Sequence, residues 1–302
     1  MITGLIVATL AASVAGGTSL LYATLGEIVS ERAGVINLGL EGVMVVGAAT
    51  GVAATSMTGS AYWGLLAAML AGAAVSVVFA YAVVDCAANQ LAAGLSLLFL
   101  GFGVSALIGR PYVGATIIGL PSHAFRFPFE HMSAAVNVDV LVVLALPITA
   151  LVAWTLTATR WGLRLRAVGE NPAAAFAAGC NRRKLQYQAI LFGGACSALA
   201  GAHIALAVAF TWAEGMTGGR GFIAIALVMF ARWNPWVAVA GAIVFGGAEA
   251  LQLQLQAQGL DVSPFVMNMV PYVLTLAVLP LTGKTGRLAA PAWLGRPFAG
   301  VE

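Results

Sequence analysis

The sequence predicts an all-α bundle of membrane-spanning helices, about nine in number and between eight and ten. Two observations carry that class. The 302 residues are 61% hydrophobic and 8% charged, with a mean hydropathy of +0.96, whereas a soluble domain carries about 25% charged residues. Runs of roughly 20 mostly apolar residues, the length a bilayer demands, also recur along the chain at about 3–25, 33–55, 62–84, 87–108, 138–158, 187–210, 219–233, 235–256 and 265–282. The 36 glycines lie scattered inside these runs without a period. That suits helices packed closely in lipid.

The first run begins without the basic n-region of a signal peptide, so it reads as a retained helix. The second is the unusual one. Residues 25–44 carry three carboxylates, one arginine, one asparagine and four glycines, where a plain anchor would carry leucine. Charged groups at membrane depth are costly and face a polar path or another subunit. The third and fourth runs are separated only by Asp85 to Asn89. The seventh is short. An outer loop is expected over 109–137 and a polar loop over 159–186.

Six of the fourteen basic residues fall between Arg160 and Lys184, which makes that loop cytoplasmic. Counting spans from it puts Arg32, Arg232 and the tail with Lys284, Arg287 and Arg296 on the same side. Arg110, Arg126 and Arg220 then lie outside, with the N-terminus. The single helix at 138–158 separates two sets of four, which inverts the second set relative to the first. Glu27…Arg32-Ala33-Gly34 and Glu214…Gly219-Arg220-Gly221 stand at equivalent places, so a candidate inverted repeat is present. The chain reads as one transmembrane domain over residues 1–302.

Several classes are excluded. The net charge of +3 comes with no basic stripe interleaved by aromatics. Cys86, Cys180 and Cys196 have no CxxC spacing and give neither a disulfide framework nor a metal site. No G-x-x-x-x-G-K-[ST] phosphate loop, HExxH or GxSxG motif occurs. Gly283-Lys284-Thr285 lacks the required glycine at Val278. No catalytic residue is therefore expected in this chain.

The loop Thr159–Lys184 contains Asn171-Pro172, a capping asparagine followed by a proline suited to a first helical turn. Gly179 suits the end. A helix over 172–178 follows, small-surfaced except for Phe176. On composition it docks into a partner's groove or lies along the membrane interface. Gly169-Glu-Asn-Pro-Ala-Ala-Ala-Phe-Ala-Ala-Gly179 resembles the coupling loop of ATP-binding-cassette importer permeases of the branched-chain amino acid and simple-sugar class. Glu31-Arg-Ala-Gly-Val-Ile-Asn-Leu-Gly-Leu-Glu-Gly42 resembles the second-helix signature of that class. Residues Gly218 to Pro235 add a likeness to its nucleoside permeases, which partner basic membrane lipoproteins.

The resemblance implies a non-catalytic permease subunit in the inner membrane that binds no cofactor. ATP is used by a partner ATPase with two cassettes. A second, non-identical permease and an extracytoplasmic substrate-binding lipoprotein complete the assembly. It also implies that Glu170, Asn171, Pro172, Phe176 and Gly179 make the ATPase contact.

Candidate path residues follow. Asn37 and Glu41, four apart, are expected on one helical face. Asn37 offers donor and acceptor to a solute, or bonds a neighbouring helix; Glu41 leans to a structural role. Asn89 lines the path by resemblance, or caps the helix it opens. Asn268 touches substrate or satisfies the break at Pro271. Phe99, Phe102, Trp212, Phe222, Phe230 and Trp233 are available to stack a nucleobase, although most are expected to pack; Trp233 and Trp236 read as inner-interface anchors. Glu27, Glu31 and Arg32 read as an ion-pair cluster at the inner mouth, either a gate or a solvated turn with interfacial charges. The leading function is import of nucleosides or related simple sugars. The alternative is an ion-coupled secondary transporter, for which Glu41 and Glu249 are the only acids at suitable depth.

Overall fold

The structure, a computed structural model, describes residues 2–126, 135–257 and 290–298 together with positions 269, 273 and 276. Almost all of it is helix: α1 (Ile2–Arg32), α2 (Leu40–Thr58), α3 (Ala61–Ala80), α4 (Gln90–Gly109), α5 (Val140–Ala158), α6 (Arg160–Glu170), α7 (Pro172–Ala177), α8 (Arg182–His203), α9 (Arg220–Ala231) and α10 (Pro235–Ala257). α3 and α8 each end in a wider π-type turn, Tyr81–Asp85 and Ile204–Ala209. An antiparallel hairpin, β1 (Ser122–Arg126) and β2 (Ala135–Asp139), fills part of the outer loop. Among the described residues six helices are long and apolar enough to cross a membrane, and α9 is a shorter apolar one. The expected run at 265–282, with Asn268, lies outside the described residues.

Local chemistry sets the helix starts. Asn89 caps α4 through the amides of Leu91 and Ala92. Asp139 caps α5 through Leu141 and Val142, and Asn181 caps α8 through Lys184. Each side-chain oxygen satisfies an amide that the helix itself leaves free.

Three expectations need correction. The second helix begins at Leu40, because residues 33–39 are irregular. Gly34 there takes a left-handed φ of +84°, which glycine tolerates without a Cβ clash. The 159–186 region is mostly helical: α6 is an amphipathic helix and α8 already starts at Arg182. Arg160, Arg164 and Arg183 are exposed there, while Arg166 and Arg182 are half-buried. The outer loop is partly a hairpin, which its mixed composition did not signal.

α2 and α8 form the centre. Their apolar stretches are 72% and 83% buried, against 28–39% for the other four spanning candidates. They touch backbone to backbone: a Cβ on Gly47 would overlap the Ala198 carbonyl, and one on Gly201 would overlap that of Met44. α1 and α3 flank this pair; α1 packs on α10 and α8, and α3 packs on α8 and α2.

The connections sort to two ends. At one end Gly169 O accepts from Trp293 N at 3.0 Å, Gln90 donates to Gly34 O and Arg296 O, and Arg183 pairs with Asp85 at 2.7 Å. At the other end Ile117 and Leu120 donate to the carbonyls of Phe210 and Leu206, and His203 meets Asp139 at 3.1 Å. The first end is the one marked by the basic residues of α6 and α8.

Candidate functional site

The irregular segment 33–39 is built by buried polar groups. Glu27 of α1, fully buried, accepts the backbone N–H of Asn37 at 2.9 Å. The Asn37 side chain turns back on itself: its Oδ1 accepts from Gly39 N at 2.8 Å. Gln90 completes the frame. Its Oε1 accepts Ile36 N at 2.8 Å while its amide donates to Gly34 O and Arg296 O. One buried side chain thus satisfies the open backbone and ties in the C-terminal segment. Irregular backbone at membrane depth needs such partners.

Asn37 therefore shares no helical face with Glu41. It precedes α2, is 5% exposed, and supports a turn. Glu41 lies in the first turn of α2 and is also buried. Its carboxylate spans the start of α9, accepting from the Thr217 hydroxyl, from Gly219 N at 2.8 Å and from Gly221 N at 2.5 Å. Two helix N-termini, each carrying partial positive charge and unpaired amides, converge on one acid. α9 is 12 residues long, so its start lies about 18 Å from the end that leads to Trp233.

The inner cluster is not the expected ion group. Among the described residues no ion pair joins Arg32 to Glu27 or Glu31. Glu31 Oε2 accepts from Trp233 Nε1 at 2.6 Å, and Arg32 donates to the Trp233 carbonyl at 3.5 Å. Trp233 is 8% exposed, an internal hydrogen-bond donor rather than an interface anchor; Trp236, 51% exposed, suits that role. Arg232 and Trp233 both adopt left-handed φ, +53° and +57°, a conformation costing about 1–3 kcal/mol per residue. The Glu31 bond helps hold it.

Glu249 is partly exposed and pairs with Arg220 at the head of α9. Arg220 is thus the first residue of α9, largely buried, beside a residue 14 positions into α10, about 21 Å along that helix. Asn89 is an exposed helix cap on the basic-marked end. His203, fully buried, has its acid partner in Asp139, brought from 64 residues away by the hairpin. The three cysteines are free, and among the described residues no group of His, Cys, Asp or Glu has metal-binding geometry.

The 172–178 helix forms as α7, Pro172–Ala177, with Asn171 Oδ1 accepting Ala174 N at 3.0 Å and Gly179 left-handed at φ +77°. Phe176 stands 56% exposed. Glu170 accepts the amide of Ala292 at 3.2 Å, so it anchors the C-terminal segment. Immediately before α7, Gly169 abuts the irregular segment: a Cβ there would overlap the Arg32 carbonyl and crowd Gly34 N. The last turn of α6, which leads through Asn171 into the exposed α7, is therefore in direct backbone contact with the break that precedes Glu41.

Two cavities differ in character. One, of about 350 Å3 among α1, α3, α5 and α8, is lined by apolar groups such as Val29, Leu151 and Phe192 and offers a polar solute little. The other, of about 330 Å3, lies between α2, α4 and the 210–219 loop and is lined by Phe102, Ser105, Trp212 and Glu214.

The chain is similar to known transporter subunits over nearly its full length. It is 36% identical to the putative glucose ABC transporter permease protein TsgC13 of Haloferax volcanii, covering 94% of both chains. It is 34% identical to the guanosine ABC transporter permease protein NupQ of Bacillus subtilis, covering 92% of both. It is 31% identical to the nucleoside ABC transporter permease protein NupC of Lactococcus lactis subsp. cremoris, covering 91% of both. No solved structure matches it. The family model described as branched-chain amino acid transport system / permease component matches residues 3–279, and the chain belongs to that family.

Proposed function

We propose that this chain is the permease subunit of an ATP-binding-cassette importer that moves nucleosides, or related simple sugars, across the inner membrane. One observation carries the reading: the exposed α7, with Phe176 as its large apolar side chain, is continuous through Gly169 with the break that sets Glu41. A partner that moves α7 thereby acts on the middle of the bundle. Relatives bearing ABC permease names, two of them for nucleosides, support the same reading. The partners are a double-cassette ATPase at α6–α7, a second permease and a substrate-binding lipoprotein. The chain works as one domain, with residues 159–186 as its coupling region and hydrolysis left to the ATPase.

The packing supports an inverted repeat. α1 lies on α10 as α3 lies on α8, an exchange expected if α1–α2–α3 corresponds to α8–α9–α10. The irregular segments 33–39 and 210–219 then enter from opposite ends. Nine spans result if α1, α9 and the 265–282 run also cross. Ion coupling is disfavoured, since Glu41 and Glu249 are each engaged separately, by α9 amides and by Arg220. The test is uptake of guanosine into proteoliposomes holding the complete complex. We expect it to require ATP and to survive collapse of ion gradients. Uptake driven by a gradient without the ATPase overturns the reading.

A further inference from the structure

The cavity beside the 210–219 loop has features that the 33–39 break and the Glu41 latch onto the start of α9 do not use. It opens on the end away from α7, where Val113 pairs through its backbone with Trp212. The loop is irregular, with left-handed glycines at 215, 218 and 219, and such backbone inside a membrane is tolerated where it is buried or lines water. Trp212 is 3% exposed and Phe102 is 39% exposed, so one ring is fixed in the wall and the other is presented to the space. Ser105 donates its hydroxyl to Val45 O at 2.8 Å and keeps its lone pairs for a donor. Glu214 is exposed, and among the described residues its carboxylate has neither a hydrogen bond nor an ion pair.

A carboxylate with two free oxygens accepts from two adjacent hydroxyls at once. Aromatic faces take a flat heterocycle. The volume of about 330 Å3 is at the small-ligand end of the usual range, and a nucleoside fills it more fully than a hexose, which leaves the Phe102 ring without a partner. Val45 lies one helical turn beyond Glu41 on α2, so the latch between α2 and α9 underlies the cavity.

We propose that this cavity is the outward-facing station for a nucleoside, with the base on the face of Phe102 beside the wall that Trp212 edges, and the ribose 2′- and 3′-hydroxyls donating to Glu214. The proposal rests on the importer reading above. The test compares ATP-dependent uptake of guanosine and 2′,3′-dideoxyguanosine by the complete complex, each at a level that saturates the binding protein. The binding protein is common to both variants and wild type, so a change in the ratio belongs to the permease. Glu214 is an exposed loop residue, and its truncation leaves the bundle intact. In Glu214→Ala we expect guanosine uptake to fall about tenfold with the dideoxy rate little changed, so that the preference collapses. Phe102→Leu should lower both rates roughly tenfold and leave the ratio alone. A Glu214→Ala ratio equal to wild type overturns the station. Wild-type uptake of glucose but not guanosine overturns the nucleoside assignment, and absence of any ATP-dependent uptake overturns the importer reading on which it rests.

Discussion

Glu41, in the first turn of α2, accepts the backbone N–H of Gly221, 180 residues further on in the first turn of α9, at 2.5 Å. With Gly219 and Thr217 on the same carboxylate, the two helix starts are held by a single side chain. Glu41→Ala strands the buried Gly221 amide and Thr217 hydroxyl, at about 1–3 kcal/mol for each unsatisfied group, and the half-buried Gly219 amide at less. The thermal midpoint of the solubilised protein should drop clearly, and less so for Glu41→Gln, which keeps one acceptor oxygen. An alanine variant that melts with wild type would falsify the latch.

Phe176 has the profile of an interface anchor, an exposed ring on a short smooth helix, and such anchors often contribute 2 kcal/mol or more to binding. Phe176→Ala should insert normally yet lose the ATPase stimulation that loaded binding protein provokes. Normal stimulation in the assembled complex would rule out α7 as the contact.

Asn37 acts through its Oδ1 on Gly39 N. Asn37→Asp retains that acceptor and should transport near the wild-type rate, whereas Asn37→Leu should be strongly impaired in uptake without loss of ligand binding by the lipoprotein. Equal impairment of both variants would mean that the amide donors matter, returning Asn37 to the solute path.

Asp139 gives a pH signature. Burial alone raises its carboxyl, but the hydrogen bond and charge of His203, with the amides of Val142 and Leu141, outweigh burial and hold it below the ordinary value. A depressed folded value stabilises fully above the unfolded pKa of about 3.9 and is lost as pH falls through the folded one. Asp139→Asn should therefore be less stable than wild type at pH 7, and the gap should close progressively below about pH 4. A gap independent of pH would place the stabilisation elsewhere.

Sidedness is checked by thiol labelling in a background without the native cysteines. A cysteine at Ala173 should be shielded from an impermeant reagent added to intact cells, and one at Ser122 should react. The reverse pattern overturns the orientation drawn from the basic residues.

Much of this was legible in the sequence. Apolar length located α3, α4, α5, α8 and α10 within a few residues, and Asn171-Pro172 with Gly179 fixed α7. The break in the second run was signalled by its glycines and acids, but its extent was not. That extent depends on Glu27 reaching Asn37 N and on Gln90 reaching back over 54 residues to Ile36, contacts with no local trace. α6 was missed because its arginines read as loop charge, while Leu165 and Val168 behind them are fully buried; that alternation was the available signal. Trp233 was misplaced because two indoles beside Pro235 suggest an interface, and only the fold brings Glu31 to one of them.

The seam between α2 and α8 has a mechanical corollary. Where Gly47 meets Ala198 and Gly201 meets Met44, peptide planes press on peptide planes, with no side chain between them to change rotamer and absorb a displacement. Such a joint has no slack: one helix cannot creep along the other by a fraction of a turn. Any opening must pivot about this fixed axle, and the compliance must come from the two unwound ends, 33–39 and 210–219, that flank it.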